Sequence, residues 1–209
     1  MVQAYLNWSE KTIKDFSDKN INSLYHEGYV FTRLGRGIMQ QTRSLRLDLD
    51  KFELSSENKR ILKKNSKLLV TSYPDLFRTN RGSSIPLQRN RDQLPAKQYH
   101  WQIGKMAKEF YDTKFGPGTF SANKIKELLT DETKSNFNTL LTYSLPLPAQ
   151  AGLSKGAEGG PVGYAICAET DKLLHYSYPF HNLQPTSYQL PANPGMAMML
   201  KAIEWAKKN

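Results

Sequence analysis

The fold is decided by Val162-Gly-Tyr-Ala-Ile-Cys-Ala168 and Leu173-Leu-His-Tyr-Ser-Tyr178, which precede Pro191-Ala-Asn-Pro-Gly-Met196 near the C-terminus. The first two segments have the composition of strands, and residues 169–172 supply a turn between them. The third segment is a loop with two prolines, and a helical pattern follows it. Residues 161–209 therefore predict a β-hairpin that leads through a loop into a helix.

The predicted helix covers residues 197–208 and has one broad apolar face. This face consists of Met198, Met199, Ala202, Ile203 and Ala206. Asn193, Pro194 and Gly195 stand at the helix start as an N-cap, a first-turn proline and a residue without a side chain. This start is typical of an ordinary capped helix on a sheet, but exposed N–H groups there also suit an anion such as phosphate. Both interpretations remain open.

The composition indicates a folded, basic protein. A chain of 209 residues suits one or two small domains, and 39% hydrophobic residues are enough for a core. Lys and Arg number 29 against 19 Asp and Glu, which gives a net charge of +10. This excess favours an anionic partner, which could be a nucleic acid, a phosphorylated cofactor or an acidic surface.

The cysteine and histidine residues predict neither a disulfide nor a metal site. Cys167 is the single cysteine, and its place on a predicted strand favours a buried side chain. His26, His100 and His181 are too scattered for the spacing of metal ligands. We therefore expect no metal.

No membrane-spanning or targeting segment is predicted. The sequence has no window of eighteen apolar residues, and residues 1–8 lack the charged-then-apolar pattern of a signal peptide. We expect a cytoplasmic protein without membrane contact.

The first forty residues predict two helices and a strand. Ser9 caps a short helix that begins at Glu10, and a second helix covers residues 18–27. Residues 29–33 have strand composition, and residues 34–37 form a turn.

A further strand is predicted from alternating leucines. Leu45, Leu47 and Leu49 alternate with Arg46 and Asp48, so we expect the leucine face to pack and the other to meet solvent or a ligand. On the leucine side, near the strand start, lies Arg43.

A basic helix follows this strand. Ser55 or Ser56 caps it, and Glu57 lies in its first turn. Its exposed side carries Lys59, Arg60, Lys63 and Lys64. Four cations on two turns repel one another, so either this face is simply solvated or an anion binds there.

Residues 68–73 predict a strand, and residues 74–98 form a long basic loop. The loop suits a polyanion, and a mobile insertion without a role fits it equally well. We place an α+β portion at residues 1–98 and a second portion at residues 99–209, which could pack as one continuous domain.

The order of elements in the second portion resembles a known acyltransferase fold. A helix from Trp101 to about Phe115, a helix capped by Ser121 and a strand at residues 137–143 precede the hairpin and last helix. This order, with the strand before it, is similar to the first half of the GNAT fold. The resemblance implies an α/β class with a mixed, mainly antiparallel sheet flanked by helices, which splits to admit an acyl donor.

The donor motif of that fold is Gln/Arg-x-x-Gly-x-Gly/Ala. Here Ala192-Asn-Pro-Gly195-Met-Ala197 keeps the Gly and the small third residue but lacks the leading Gln or Arg. The resemblance implies that the acyl donor binds at Asn193, Gly195, Met196 and Ala197.

Two further stretches resemble the arginyl- and leucyl-tRNA–protein transferases. Thr42-Arg-Ser-Leu-Arg46, with the Phe, Ser and basic helix of residues 52–65, looks like one segment of that family. Residues 195–206 resemble the helix of its C-terminal catalytic domain. The resemblance implies transfer of an aminoacyl group from tRNA to the N-terminal amine of an acceptor protein, without a metal or a cofactor beyond the aminoacyl-tRNA. The residues implied to bind tRNA phosphates are Arg43, Arg46, Lys59, Arg60, Lys63 and Lys64.

Two features depart from that family. The cysteine pairs near the N-terminus of many such transferases are absent. The Tyr-Leu-Gly strand that would follow the last helix is also absent, because the sequence stops at Asn209. We expect the C-terminal strands of the sheet to be missing, or the sheet to be completed in another way.

Three residues of the hairpin are candidates for the chemistry. Strict alternation would place Tyr176 with Leu174 and Tyr178 on one face, and His175 with Ser177 on the other. His175 could remove a proton from the attacking amine, Tyr176 could donate to the oxyanion, and Glu169 could bind the incoming ammonium. Each residue equally suits a structural role.

Two other functions stay open. The first is a coenzyme A-dependent N-acetyltransferase with acetyl-CoA as donor. The second is a non-catalytic RNA-binding relative.

Overall fold

The computed structural model describes residues 9–42, 44–73, 99–146, 158–183 and 193–209. The predicted basic loop 74–98 and Arg43 lie outside the described residues. The described elements are β1 (Glu10–Thr12), α1 (Asp18–His26), β2 (Tyr29–Phe31), β3 (Ile38–Gln41), α2 (Ser56–Lys64), β4 (Leu69–Tyr73), α3 (Trp101–Phe115), α4 (Ala122–Thr130), β5 (Thr139–Pro146), β6 (Glu158–Glu169), β7 (Leu174–His181) and α5 (Pro194–Ala206).

The strands form two antiparallel sheets. The smaller sheet has the order β1-β3-β2, and the larger has the order β4-β5-β6-β7. The predicted α/β class is confirmed at this level. From α3 onward, the predicted order of two helices, three strands and a helix is also confirmed. Because β4 pairs with β5, the strand at residues 69–73 belongs to the same sheet as the C-terminal hairpin.

The larger sheet separates two hydrophobic cores. On β5, Leu140 packs with α1, α3, α4 and the smaller sheet, whereas Leu141 and Tyr143 pack with α2 and α5. Strand β6 alternates in the same way, with Ile166 in the first core and Cys167 in the second. Helices α2 and α5 therefore lie together on one face of the sheet.

Short polar side chains fix the starts of three helices. Ser55 Oγ accepts the N–H of Asn58 at 3.1 Å at the start of α2, and Ser17 and Ser121 cap α1 and α4 in the same way. Asn193 at the start of α5 differs, because it has a left-handed φ of 53° and makes no side-chain cap bond. Pro194 occupies the first turn, as the sequence predicted.

The helix predicted from Glu10 is wrong, because this segment is a strand. β1 pairs with β3, which the sequence had not indicated, and the N–H of Gln41 donates to the carbonyl of Ser9 at 2.8 Å. The pairing partner lies about thirty positions away along the chain. Pairing with a strand that is distant in the sequence therefore overrides the local helical pattern.

The strand predicted at Leu45, Leu47 and Leu49 is also wrong. Residues 44–48 have no regular structure, and Leu45 and Leu47 are 84% and 39% exposed. An alternating sequence pattern shows which side chains share a face of the segment, but it does not supply a neighbouring strand for the segment to pair with. These leucines remain at the surface instead of packing.

A β-bulge breaks the alternation of β7. Ile166 pairs with Tyr178 and Cys167 pairs with Tyr176, so Ser177 is an extra residue. Tyr176 therefore packs in the core with α5, whereas Tyr178 packs in the core with α3. The prediction that Tyr176 and Tyr178 share a face is wrong for this reason.

None of the helices in the described part of the chain has the length and apolar character that crossing a bilayer requires.

Gly163 is expected to be intolerant of any side chain. A Cβ there would lie 2.9 Å from Met198 Sδ and 3.0 Å from both His181 Cβ and Phe180 O. Gly163→Ala should lower the free energy of unfolding by about 1–3 kcal/mol, because the sheet and α5 would be overpacked. Urea denaturation measures the change.

Gly195→Ala is the matched control, since a Cβ at that position meets nothing within 4 Å. It should leave stability unchanged or raise it by up to about 1 kcal/mol, because Ala loses less backbone freedom in a helix. Equal stabilities of the two variants would contradict the packing described here.

Candidate functional site

A cavity of about 590 Å³ opens along the first half of β7. Four parts of the chain form its walls: α1 with β2, residues 44–49, the hairpin end with β7, and α5. The lining residues are Asn22, Tyr25, His26, Val30, Ser44, Leu45, Arg46, Leu47, Leu49, Lys172, Leu173, Leu174, His175, Tyr176, Met199, Ala202, Ile203 and Ala206.

The cavity exists because β7 is the last strand of the larger sheet. α1 packs in the core on one face of this sheet and α5 in the core on the other. Residues from both helices border the gap beside the strand edge. His175 and Tyr176, which point to opposite faces of β7, therefore both line the same cavity.

The lining is apolar with a basic character. Most of it is aliphatic, and its ionisable residues include Arg46, Lys172 and His26. No Asp or Glu occurs among the described residues that line it. The size and the small number of polar groups fit a ligand site.

His175 is held by Tyr25, which lies 150 positions earlier. The N–H of Phe31 donates to Tyr25 Oη at 3.2 Å, and Tyr25 Oη lies 2.8 Å from His175 Nδ1. Because Tyr25 has one proton to donate, we assign it to Nδ1, which leaves the ring proton on Nε2. Burial lowers the pKa of His175 to about 4.

These properties alter the role expected of His175. The prediction of a general base assumed an ordinary pKa near 6.5. A general base needs a ring nitrogen that can accept a proton from the substrate. In His175, Nδ1 already accepts the hydrogen bond of Tyr25 and Nε2 already carries the ring proton, so the neutral ring is unsuited to that role. His175 instead orients Tyr25 and closes the first core against Phe137, whose ring centroid lies 6.1 Å away.

Tyr176 offers an unused hydroxyl at the cavity. Its Oη is buried and makes no hydrogen bond of normal geometry within the described residues, but its phenol interacts with that of Tyr143, whose Oη is buried in the same way. Burial raises the pKa of both phenols well above the usual value near 10, so both stay protonated. A buried O–H without an acceptor is a donor available to a bound ligand. The oxyanion-donor role of Tyr176 stays a prediction.

Glu169 does not reach the cavity. Its carboxylate accepts the hydroxyl proton of Thr139 at 2.7 Å, and its backbone N–H donates to Asn138 Oδ1 at 2.8 Å. Asn138 Nδ2 donates in turn to the carbonyl of Glu169 at 2.9 Å. These bonds tie the end of β6 to the start of β5. These bonds give Glu169 a structural role, and its role in binding an ammonium group stays a prediction.

The predicted phosphate ligands fall into two groups. Arg46 lines the cavity, and its Nη1 donates to the carbonyl of His26 at 3.0 Å. The other cations lie on the exposed side of α2, where Arg60 Nε donates to Glu57 Oε2 at 2.6 Å. Within the described part of the chain, three cations on this helix make no ion pair: Lys59, Lys63 and Lys64.

Helix α5 stands between these two groups. Lys59 borders a second cavity of about 330 Å³ between α2 and α5. Ile203 of α5 lines both cavities. The unpaired lysines and Tyr176 therefore lie around the same helix.

The predicted donor turn lies apart from the cavity. Gly195 is exposed, Met196 is 40% exposed and Ala197 is buried in the second core. The lining of the cavity comes from Met199 to Ala206, in the later part of α5. Neither Asn193 nor Gly195 borders it, so the structure does not bring the donor turn and Tyr176 into one pocket.

No pattern in the sequence indicates Tyr25 as the partner of His175. Tyr25 lies in a segment whose sequence pattern predicts an amphipathic helix. Helical periodicity does not indicate a contact with a residue 150 positions away. Among the described residues, no three His, Cys, Asp or Glu side chains are grouped as a metal site would require.

Comparison of this chain with protein-family models, curated proteins and solved structures finds no match.

The buried His175 predicts a pH-dependent stability. Its pKa is about 4 in the folded chain and about 6.5 when unfolded, so the unfolded state binds more protons between these values. The contribution of the neutral His175 to the free energy of unfolding is complete above pH 6.5 and is lost as the pH falls toward 4. His175→Asn, which keeps an acceptor for Tyr25, should reduce the acid-induced fall in the free energy of unfolding by about 2–3 kcal/mol.

Urea denaturation at several pH values between 4 and 7.5 measures this difference. His100→Asn, at an exposed position, controls for the loss of a histidine in general. A His175→Asn variant with the pH profile of the original protein would contradict the burial of a neutral ring.

Proposed function

We propose that this chain is an aminoacyl-tRNA–protein transferase, as its two motifs imply. One observation carries the proposal: α5 packs against the basic helix α2 and also walls the cavity that Tyr176 lines. A surface that binds nucleic acid and a site for acyl transfer would then lie next to each other, with α5 contributing to both. The donor is aminoacyl-tRNA, and the acceptor is the N-terminal amine of a protein.

The strand and helix order supports this proposal. Strands β4-β5-β6-β7 form one antiparallel sheet, with α3 and α4 in the core on one face and α5 in the core on the other. This arrangement is compatible with the first half of the GNAT fold. We include a GNAT-like architecture in the proposal.

The unpaired lysines supply the nucleic-acid surface. Glu57 compensates the charge of Arg60, but Lys59, Lys63 and Lys64 have no such partner in the described residues. Like charges on adjacent turns repel one another, and phosphates would remove that cost. Release of counterions from tRNA would add a salt-dependent gain.

The reaction needs little covalent chemistry from the protein. The acceptor nitrogen attacks the ester carbonyl, an amide bond forms, the ester bond to the ribose breaks, and the ribose oxygen takes the proton lost by the amine. The aminoacyl ester is already activated, so positioning and oxyanion stabilisation dominate. Tyr176 O–H donates to the developing oxyanion.

A non-catalytic RNA-binding protein is the second candidate. The observation in its favour is that Gly195 and Tyr176 do not share a pocket. A coenzyme A-dependent acetyltransferase is less well supported, because the donor motif lacks its leading Gln or Arg. Transfer of a labelled amino acid from charged tRNA to a peptide distinguishes the first candidate from the other two.

Charge reversal of the unpaired lysines tests the nucleic-acid surface. Lys59→Glu, Lys63→Glu and Lys64→Glu together should weaken tRNA binding at least about tenfold, as measured by filter retention across salt concentrations. In the original protein the plot of log affinity against log salt should be steep. Loss of three phosphate contacts should reduce its slope by about two to three.

The matched control reverses Lys14, Lys114 and Lys126, which are exposed on other elements, so the net charge changes equally. This control should keep most of its tRNA affinity and its salt dependence. Equal loss in the two triple variants would show that only net charge matters and would exclude α2 as the binding surface.

Tyr176→Phe tests the oxyanion donor. Loss of this hydroxyl should lower the transfer rate about 100-fold, as for other single oxyanion donors. Stability should not fall, since the hydroxyl makes no hydrogen bond within the described residues. Tyr143→Phe is the comparison variant, because it removes the phenol that interacts with Tyr176 at a position that does not line the cavity, and it should lower the transfer rate less than Tyr176→Phe.

Equal transfer rates in the original protein and Tyr176→Phe would remove Tyr176 from the mechanism. The tRNA-binding assay is independent of this result, so the two parts of the proposal can fail separately.

A further inference from the structure

The outer edge of β7 is an open edge of the larger sheet. β7 is eight residues long and pairs with β6 on one side. In the described part of the chain, no strand pairs with its other side. An open edge presents a row of backbone N–H and C=O groups, which favours the addition of another strand.

A second unpaired segment borders the same gap. Residues 44–49 have the alternating pattern of a half-buried strand but form no ladder, and Leu45 is 84% exposed. An exposed leucine is common in itself. Here two exposed leucines, Leu45 and Leu47, line a cavity beside an open sheet edge together with the half-buried Leu49.

The gap has the dimensions of a short strand. Residues 173–176 form its sheet side, and four residues of strand span about 13 Å. Tyr25 of α1 borders it from one face of the sheet, and Ile203 of α5 from the other. The alternate side chains of an inserted strand would therefore pack on α1 and α5 in turn.

The charge of the lining selects among possible peptides. Arg46, Lys172 and His26 line the cavity, and no acidic residue does so among the described residues. A peptide that carries Asp or Glu beside apolar residues would complement this lining. A basic peptide would meet like charge.

We infer that the edge of β7 binds an extended polypeptide segment as an added strand, and that this segment is apolar at alternate positions and acidic between them. Main-chain hydrogen bonds to β7 give the affinity, and the leucines of residues 44–49 with Arg46 give the selectivity. The inference does not depend on the proposed transfer reaction. It is tested without tRNA, so the two can fail independently.

The test uses the full chain and a fluorescent synthetic heptapeptide, Leu-Glu-Val-Asp-Val-Glu-Leu. Anisotropy should show saturable binding with one peptide per chain, and NMR should show shifted and protected backbone amides within residues 174–176. A peptide N-methylated at the positions that face β7 should bind at least about tenfold more weakly. A peptide with Lys in place of each acidic residue should also bind at least about tenfold more weakly.

Two protein variants locate the binding site. Leu45→Asp should weaken binding of the acidic peptide about tenfold. Leu69→Asp is the matched control, because Leu69 is a 44% exposed leucine on β4 at the opposite edge of the sheet, and it should leave binding unchanged. Arg46→Glu should invert the preference between the acidic and lysine peptides.

Three results would overturn the inference. The first is the absence of saturable binding by the acidic peptide. The second is equal binding of the N-methylated peptide, which would exclude main-chain pairing. The third is a concentration-dependent dimer that protects the β7 amides without peptide, which would assign the edge to a second copy of this chain.

Discussion

The pairing of β6 with both of its neighbours holds the described structure together. Residues 162–168 are buried, and their side chains alternate between the core under α3 and α4 and the core under α5. A strand buried on both faces contributes apolar area to both cores at once. The helices on either face are therefore positioned by one strand, and the edge strand β7 takes its register from it.

That arrangement also explains the candidate site. His175 and Tyr176 belong to different cores, and they meet in one cavity because β7 has no neighbour on its outer side in the described residues. His175 is neutralised by burial and bonded to Tyr25, whereas Tyr176 retains a protonated hydroxyl that makes no hydrogen bond of normal geometry within the described residues. Two adjacent residues thus have opposite uses. One stabilises the fold, and the other is available to a ligand.

Much of the fold followed from local patterns, and the errors came from distant contacts. Ser55 and the periodicity of α2 were sufficient to place that helix, because capping and amphipathicity are local. The strand β1 was missed because its partner β3 is about thirty positions away. The leucines at 45, 47 and 49 showed an alternating pattern without a partner strand, which no local signal reveals. For the site, the hairpin pattern was sufficient to place Tyr176 on β7 but not to reveal the bulge that separates it from Tyr178, and the Tyr25–His175 bond and the position of Glu169 between β5 and β6 depend on tertiary contacts.

The bulge at Ser177 makes the length of β7 matter more than its residue types. Before it, Leu174 and Tyr176 pack toward α5, and after it, Tyr178 and Phe180 pack toward α3. Removal of this one residue would exchange the inward and outward faces of half a strand. The hairpin is thus intolerant of an insertion or deletion at this point, which is a constraint on how such a sequence can diverge.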